Sequence, residues 1–473
     1  MKSHRRGTDT FPSLYRTACL IGGLLLMTLV AGGCAKYPVN PSLDQYSPDE
    51  GYREKNMGVP GNSDSLYMVL TFSGGGTRAA ALSYGILEEL ARTEVFIDGR
   101  KRRLLDEVDG ISSVSGGSFT AAYYGLFGDR IFEDYESRFL KANIQGALLW
   151  NYFFIPNWFR LMSPRFDSSD MAAEYYDKHV FDGGTFSDIA ARKGPTILIN
   201  ATDMTEGTPF PFDQESFDVI CSDLSIVPVA RAAAASSAVP VLLSPISLRN
   251  YAGTCDYPSD WIGESLKERD FLSRHYQLAV HKENYLDTEK KPYVHLVDGG
   301  VADNLGIRAI LNRVISQDNA WNSLKDSKLE NTRKVVFVVV NAQTAVDRSE
   351  DLKLGPPGFM EVLSLVTSTP LQKFNIETLN LLQLNFGEWT EDIASGRCSD
   401  PDYKGDHESC GDIEFSLIYI HFDALKDREE REYFKGLPTS FKLPDEAVDK
   451  LKEVAGRLLR ESEEYQQLLG DFN

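Results

Sequence analysis

Three short segments carry residue types that together suit acyl transfer. Ser113-Val114-Ser115-Gly116-Gly117 lies between a short apolar strand and a helix start built of small residues. That is the setting of a nucleophile elbow, a strained turn that lifts a serine hydroxyl above the strand ends and needs small residues two positions to either side. Gly117 meets this need, and Ser113 replaces the usual glycine with another small residue. Asp298-Gly299-Gly300 follows the strand-like run Tyr293–Val297, which puts a carboxylate at a strand's C-terminal end, where α/β proteins gather catalytic groups. The plainer role for Asp298 is a turn or a helix cap, and Asp303-Asn304 is placed to cap the next helix instead. Phe72-Ser73-Gly74-Gly75-Gly76-Thr77-Arg78-Ala79 joins a strand to a helix, so its glycines turn the backbone sharply and present N–H groups where negative charge is favoured. Such a loop suits an oxyanion hole. Gly74-x-Gly76-x-x-Ala79 also satisfies the loose dinucleotide fingerprint, with Glu94 or Asp98 as its acidic partner.

These segments need a scaffold that brings them to one edge. Apolar strand-like runs occur at Leu66–Phe72, Gly110–Val114, Thr196–Thr202, Tyr293–Val297, Val335–Asn341 and Leu417–Phe422. Helical patterns separate most of them; the first, Arg78 to Arg92, sets Leu82, Ile86 and Leu90 on one face. Alternation of this kind predicts a layered α/β domain with a mostly parallel sheet. Leu148 to Met162 is apolar, broken by Pro156 and shorter than the roughly 20 residues that cross a bilayer. It reads as a core helix or buried turn, with an apolar lid or acyl-chain contact surface as the sharper alternative. Asn250 to Pro292 is polar and reads as a surface excursion. Helical patterns at Phe359–Phe386 and Pro444–Leu469 suggest packing on the core.

Taken together, the order and setting of the segments resemble the patatin-like phospholipase family, over about residues 66–345. Its Gly-Gly-Gly-x-Arg-Gly loop corresponds to Gly74-Gly75-Gly76-Thr77-Arg78-Ala79, and its Gly-x-Ser-x-Gly elbow to Ser113-Val114-Ser115-Gly116-Gly117. Its Asp-Gly-Gly triplet corresponds to Asp298-Gly299-Gly300, and a fourth block, Ala-Ser-x-Ala-x-Pro, to Ala235-Ser236-Ser237-Ala238-Val239-Pro240. The resemblance implies a three-layer α/β/α sandwich with a mostly parallel central sheet. It also implies hydrolysis of lipid acyl esters, of phospholipase A or lysophospholipase type, by a Ser115–Asp298 dyad with Gly74, Gly75 and Gly76 around the oxyanion. No cofactor or metal is implied. Arg78 would support the loop or meet a phosphate, although an arginine at a helix start is more often solvated. A triad completed by His407 or His421 is the nearest rival. Dinucleotide binding leaves Ser115 and Asp298 unexplained, and a non-catalytic envelope lipoprotein leaves the whole set unexplained.

The chain has 473 residues and a formal charge of -20, which disfavours nucleic acid and anionic lipid as partners. Lys2, Arg5, Arg6 and Arg16 precede an uncharged apolar run that ends in Ala31-Gly32-Gly33-Cys34. This resembles a bacterial lipoprotein signal, with Cys34 lipidated and the outer membrane as destination if the organism has one. Residues 1–33 are then the signal, 34–65 a polar tether, 66–345 the catalytic domain and 346–473 a C-terminal region. Cys19 belongs to the signal, which leaves Cys221, Cys255, Cys398 and Cys410. A disulfide between Cys398 and Cys410 would close the polar stretch Ser399 to Ser409 in an oxidising envelope, while the pairing of all four stays open. No zinc-ligand spacing occurs. The ester itself, its positional specificity and any protein partner are not legible.

Overall fold

The structure is a computed structural model that describes residues 39–472 except 164–165, 241–242, 346–350, 352–353, 357 and 406. The proposed signal and Cys34 therefore lie outside the described residues. The strands are β1 (Leu66–Phe72), β2 (Glu94–Ile97), β3 (Arg100–Arg103), β4 (Val108–Val114), β5 (Thr196–Asp203), β6 (Thr208–Pro211), β7 (Ile246–Arg249), β8 (Tyr293–Asp298), β9 (Lys334–Asn341) and β10 (Glu414–His421). The helices used below are α1 (Thr77–Arg92), α2 (Gly116–Phe127), α3 (Ile144–Phe153), α4 (Ile155–Leu161), α5 (Ser168–His179), α6 (Val229–Ser236), α7 (Arg308–Ser316), α8 (Ala320–Asp326), α9 (Phe359–Ser399) and α10 (Asp445–Glu461).

Eight strands form one sheet in the order β10-β9-β1-β4-β5-β8-β7, with β6 beside β5. The five strands from β10 to β5 are parallel. Parallel strands covered on both faces read as continuous apolar runs, and β9 is such a run. Val336, Val338 and Val340 join the core beneath α1, α2, α6 and α10, whereas Val335, Phe337 and Val339 pack with residues of α7, α8 and α9. The result is the expected three-layer α/β/α sandwich. All six expected strands are present, within a few residues at each end. β2 and β3 form a separate hairpin whose turn residues Asp98 and Gly99 both have positive φ. Glu94 is exposed on that hairpin and pairs with Lys101, so neither Glu94 nor Asp98, the acidic partners the dinucleotide fingerprint would use, lies on a strand of the main sheet.

β8 departs from the common direction. It runs antiparallel to β5 with Asp298 opposite Ala201, while Val114 at the end of β4 lies opposite Asn200. Asp298 thus reaches the end of β4 from the opposite direction. A strand end shared with the parallel strands is not what puts it there.

Two further expectations need correction, and two others gain detail. Leu148 to Met162 is not core: α3 and α4 carry it on the surface, with Trp150 70% and Met162 81% exposed. The aromatic core there is made by Phe119, Phe139, Tyr176 and Phe441, which pack ring on ring. The described part of the tether, residues 39–65, is packed rather than free. Tyr52 is buried, its hydroxyl accepting the Ile197 N–H at 2.8 Å, and Arg53 pairs with Asp218 at 2.6 Å. The C-terminal region supplies β10 to the sheet as well as helices. Within it α10 crosses α1 closely at Gly85, where a Cβ would stand 2.5 Å from the Lys452 carbonyl oxygen. The Asn250 to Pro292 excursion contains helices Asp260–Glu268 and Arg274–Leu286 and is closed at its neck by the β7–β8 pair Arg249 and Tyr293. Both possible disulfides form, Cys398–Cys410 as expected and also Cys221–Cys255, which ties the excursion to the segment before α6.

Candidate active site

Ser115 follows β4 directly and precedes α2, and the chain reverses there with φ 50° and ψ -119°. A non-glycine residue in this region is strained by about 1–3 kcal/mol and persists only where its surroundings fix it. Two neighbours do so. The Ser115 N–H donates to Ser236 Oγ at 2.8 Å, and Ser236 in turn donates to the Asn200 carbonyl at 2.6 Å. Helix α2 begins so close to β1 that a Cβ on Gly117 would lie 2.7 Å from the Ser73 oxygen, and one on Gly116 2.1 Å from the Gly76 oxygen. Ser113, the departure from glycine, is accommodated because its hydroxyl donates to the Leu198 carbonyl of β5 at 3.0 Å.

The Ser115 hydroxyl donates to Asp298 Oδ2 at 2.9 Å. The other carboxylate oxygen, Oδ1, accepts the Gly300 N–H at 2.8 Å. The backbone of Asp298 is held on both sides, its N–H by the Ala238 carbonyl at 2.9 Å and its carbonyl by the Thr202 hydroxyl at 2.9 Å. Gly299 passes so near β5 that a Cβ there would lie 2.1 Å from the Asn200 oxygen. Ser115 and Asp298 are 6% and 8% exposed. Burial pushes the Asp298 carboxyl up to about 6, against the opposing pull of the Gly300 and Ser115 hydrogen bonds.

The glycine loop lies against the elbow, a Cβ on Gly74 being 3.3 Å from the Ser115 Cβ. The Gly74 N–H donates to the Asn304 carbonyl at 3.1 Å and the Thr77 N–H to the Ser440 carbonyl at 2.9 Å. Between them, the Gly75 and Gly76 N–H groups have no acceptor among the described residues. Gly75 has φ 143° and Gly76 φ 60°, conformations open to glycine. Arg78 is buried, not solvated. Its guanidinium donates to the Ala342 carbonyl at 2.7 Å, the Leu437 carbonyl at 2.6 Å and Thr439 Oγ1 at 3.0 Å, and no carboxylate among the described residues neutralises it. Burial without a counter-charge pushes it down to about 10.

Ser236, Ala238, Asn304 and Ser440 were not singled out as site residues by type. The Ala235–Pro240 block signals only small size, yet Ser236 and Ala238 each hold one member of the Ser115–Asp298 pair. Asn304 serves the glycine loop, while Asp303 caps the turn into α7 by accepting the Leu305 and Arg308 N–H groups. His421 lies at the end of the outermost strand β10, with β9 and β1 between it and β4, and stacks on Tyr419 with ring centroids 4.2 Å apart. His407 belongs to the short turn His407–Ser409 before that strand. Among the described residues no group of three His, Cys, Asp or Glu side chains is placed to hold a metal ion.

No curated protein sequence matches the chain. Among solved structures the chain is similar to human GIVD cytosolic phospholipase A2, at 13% identity and a TM-score of 0.43, over 90% of this chain and 63% of that one. The chain therefore spans less than two thirds of that protein's length. A family model described as patatin-like phospholipase matches residues 70–311. The match runs unbroken from within β1 to within α7, just over half of the sequence, and the chain belongs to the patatin-like phospholipase family.

Proposed function

We propose that the protein is a serine hydrolase of lipid acyl esters, of phospholipase A or lysophospholipase type, that works with a Ser115–Asp298 dyad. The observation that carries this reading is the direct hydrogen bond from Ser115 Oγ to a buried carboxylate. A serine hydroxyl needs a base within hydrogen-bond reach, and a carboxylate near its usual pKa is a weak one. Raised to about 6, Asp298 is a stronger base that still stands ionised at neutral pH.

In this reading Ser115 Oγ bonds to the ester carbonyl carbon as its proton passes to Asp298 Oδ2. The carbonyl oxygen takes up the negative charge and is held by the free N–H groups of Gly75 and Gly76, backed by the positive end of α1. When the tetrahedral species collapses, the carbon–alkoxide bond breaks and Asp298 returns the proton to the leaving alcohol. Water then attacks the acyl-enzyme, Asp298 accepting its proton, and the fatty acid leaves as Ser115 is restored.

The second part of the proposal is an envelope location through lipidated Cys34. It is supported by the Ala31-Gly32-Gly33-Cys34 sequence and by two disulfides, which suit an oxidising compartment. No helix among the described residues is long and apolar enough to cross a membrane.

The test is labelling with a fluorophosphonate, followed by lipid analysis of products. The wild type should label at Ser115 and release fatty acid, and Ser115→Ala should do neither. Undiminished release by Ser115→Ala would refute the assignment.

A further inference from the structure

We infer that α3 and α4 form a docking surface for the bilayer itself, seated at the mouth of the Ser115 site. The inference rests on the proposed lipid hydrolysis for its purpose but not for its physical basis. Trp150, Phe153, Ile155, Trp158, Phe159 and Met162 are all exposed on these two short helices. Exposed apolar residues scattered singly need no explanation; a contiguous set of this size does.

Two polar groups are engaged within the pair. Trp158 Nε1 donates to the Tyr152 carbonyl at 3.1 Å and Asn157 Nδ2 to the Asn151 carbonyl at 2.8 Å, so each closes the α3–α4 corner on itself. What faces outward is ring and alkyl surface. Charge points the same way. The chain has 69 acidic residues, yet residues 144–162 contain none, and their one charge, Arg160, is matched by Glu174 at 2.6 Å. This surface can meet a bilayer without the repulsion that the remaining acidic surface imposes.

The dimensions exclude a span. α3 has 10 residues and α4 has 7, far below the roughly 20 needed, so the pair lies in the plane of the interface. Two tryptophans there suit the headgroup boundary, where an indole's apolar body and polar edge are both accommodated. The root of the pair is next to the chemistry. The Gln145 N–H points to the Phe441 carbonyl at 3.4 Å, and the adjacent Ser440 carbonyl accepts the Thr77 N–H of the glycine loop. A bilayer that receives α3 and α4 is therefore brought toward the glycine loop beside Ser115.

The experiment uses the full chain reconstituted in phosphatidylcholine vesicles whose acyl chains carry bromine, a contact quencher of indole emission. Of the five tryptophans, Trp321 and Trp389 are buried and Trp261 is half-buried on the 250–292 excursion, so Trp150 and Trp158, 70% and 51% exposed, supply most of any quenching. Wild type should be quenched, and Phe153→Ser/Phe159→Ser, which keeps all five, should lose at least half of that quenching. The same variant should hydrolyse vesicle phospholipid at least tenfold more slowly and a soluble short-chain ester within twofold of wild type. Met162→Glu, a change at the most exposed position, should repeat the pattern should the double variant misfold. Ser115→Ala should be quenched like wild type, which separates a failure of docking from a failure of the hydrolase reading. Quenching that is absent in wild type or unchanged in both variants would overturn the inference. So would equal loss on both esters, or a lipid-independent dimer that Phe153→Ser/Phe159→Ser dissolves.

Discussion

Ser236 Oγ sits 2.8 Å from the Ser115 nitrogen and accepts its N–H, which fixes the strained backbone from which the nucleophile projects. Ser236→Ala leaves that N–H buried without its acceptor and the Asn200 carbonyl without its donor, a loss of about 1–3 kcal/mol. The elbow is then free to relax. We expect kcat to fall by roughly 10- to 100-fold with KM little changed, since a small misplacement of a nucleophile acts on the chemical step. Steady-state kinetics beside thermal melts will check this; a fall in melting temperature with kcat intact would reduce Ser236 to a packing role.

Asp298→Asn should lower kcat by about 10³-fold or more, while His407→Gln and His421→Gln stay within a few-fold of wild type. Rates of folded variants decide between dyad and triad: collapse in either histidine variant would install the triad.

The Asp298 carboxyl also sets two pH dependences. It acts as base only when ionised, so kcat/KM should rise with pH through about 6 and level off above. Stability runs the other way. The folded pKa lies above the unfolded value near 4, so between about 4 and 6 the folded state holds the extra proton and loses stability as pH rises. Asp298→Asn should therefore melt higher than wild type at pH 8, with the difference shrinking toward pH 4. A difference that grows on acidification would contradict a raised carboxyl.

Arg78 joins the glycine loop to the end of β9 and to the 437–439 segment. Arg78→Met leaves two carbonyl oxygens without donors, and we expect about 2–4 kcal/mol of destabilisation by urea titration. Activity should fall as well, because the same guanidinium braces Gly75 and Gly76. Arg78→Lys should recover only part of both, since one ammonium cannot reproduce the planar fork.

Cys34→Ser should leave the protein unprocessed or unanchored when envelope fractions are separated. Recovery in the membrane fraction, cleaved as before, would remove Cys34 from the proposal.

Much of this arrangement was legible because one kind of signal suffices for it. β1 and β9 are continuous apolar runs, and the glycines at 76, 116, 117 and 299 mark places where backbones touch. What escaped depends on partners distant in the chain or on the absence of periodicity. Ser236 meets Ser115 across a separation of 121 residues, and nothing in its own neighbourhood announces a hydrogen bond. β6 and β7 have four residues each, too few to display alternation. Tyr52 is one of three tyrosines in a polar stretch, yet its hydroxyl binds the backbone of β5. α3 and α4 are apolar on every side, so their pattern cannot tell core from surface.

Because β7 and β8 pair antiparallel, with Arg249 opposite Tyr293, the two ends of the 250–292 excursion already meet before it begins. Its length has no bearing on where Asp298 falls. Asp298 rides on a hairpin whose loop can grow, shrink or acquire its own helices, while Ser115 rides on a strand and helix that cannot. Changes in that loop can therefore be absorbed without moving Asp298 relative to Ser115.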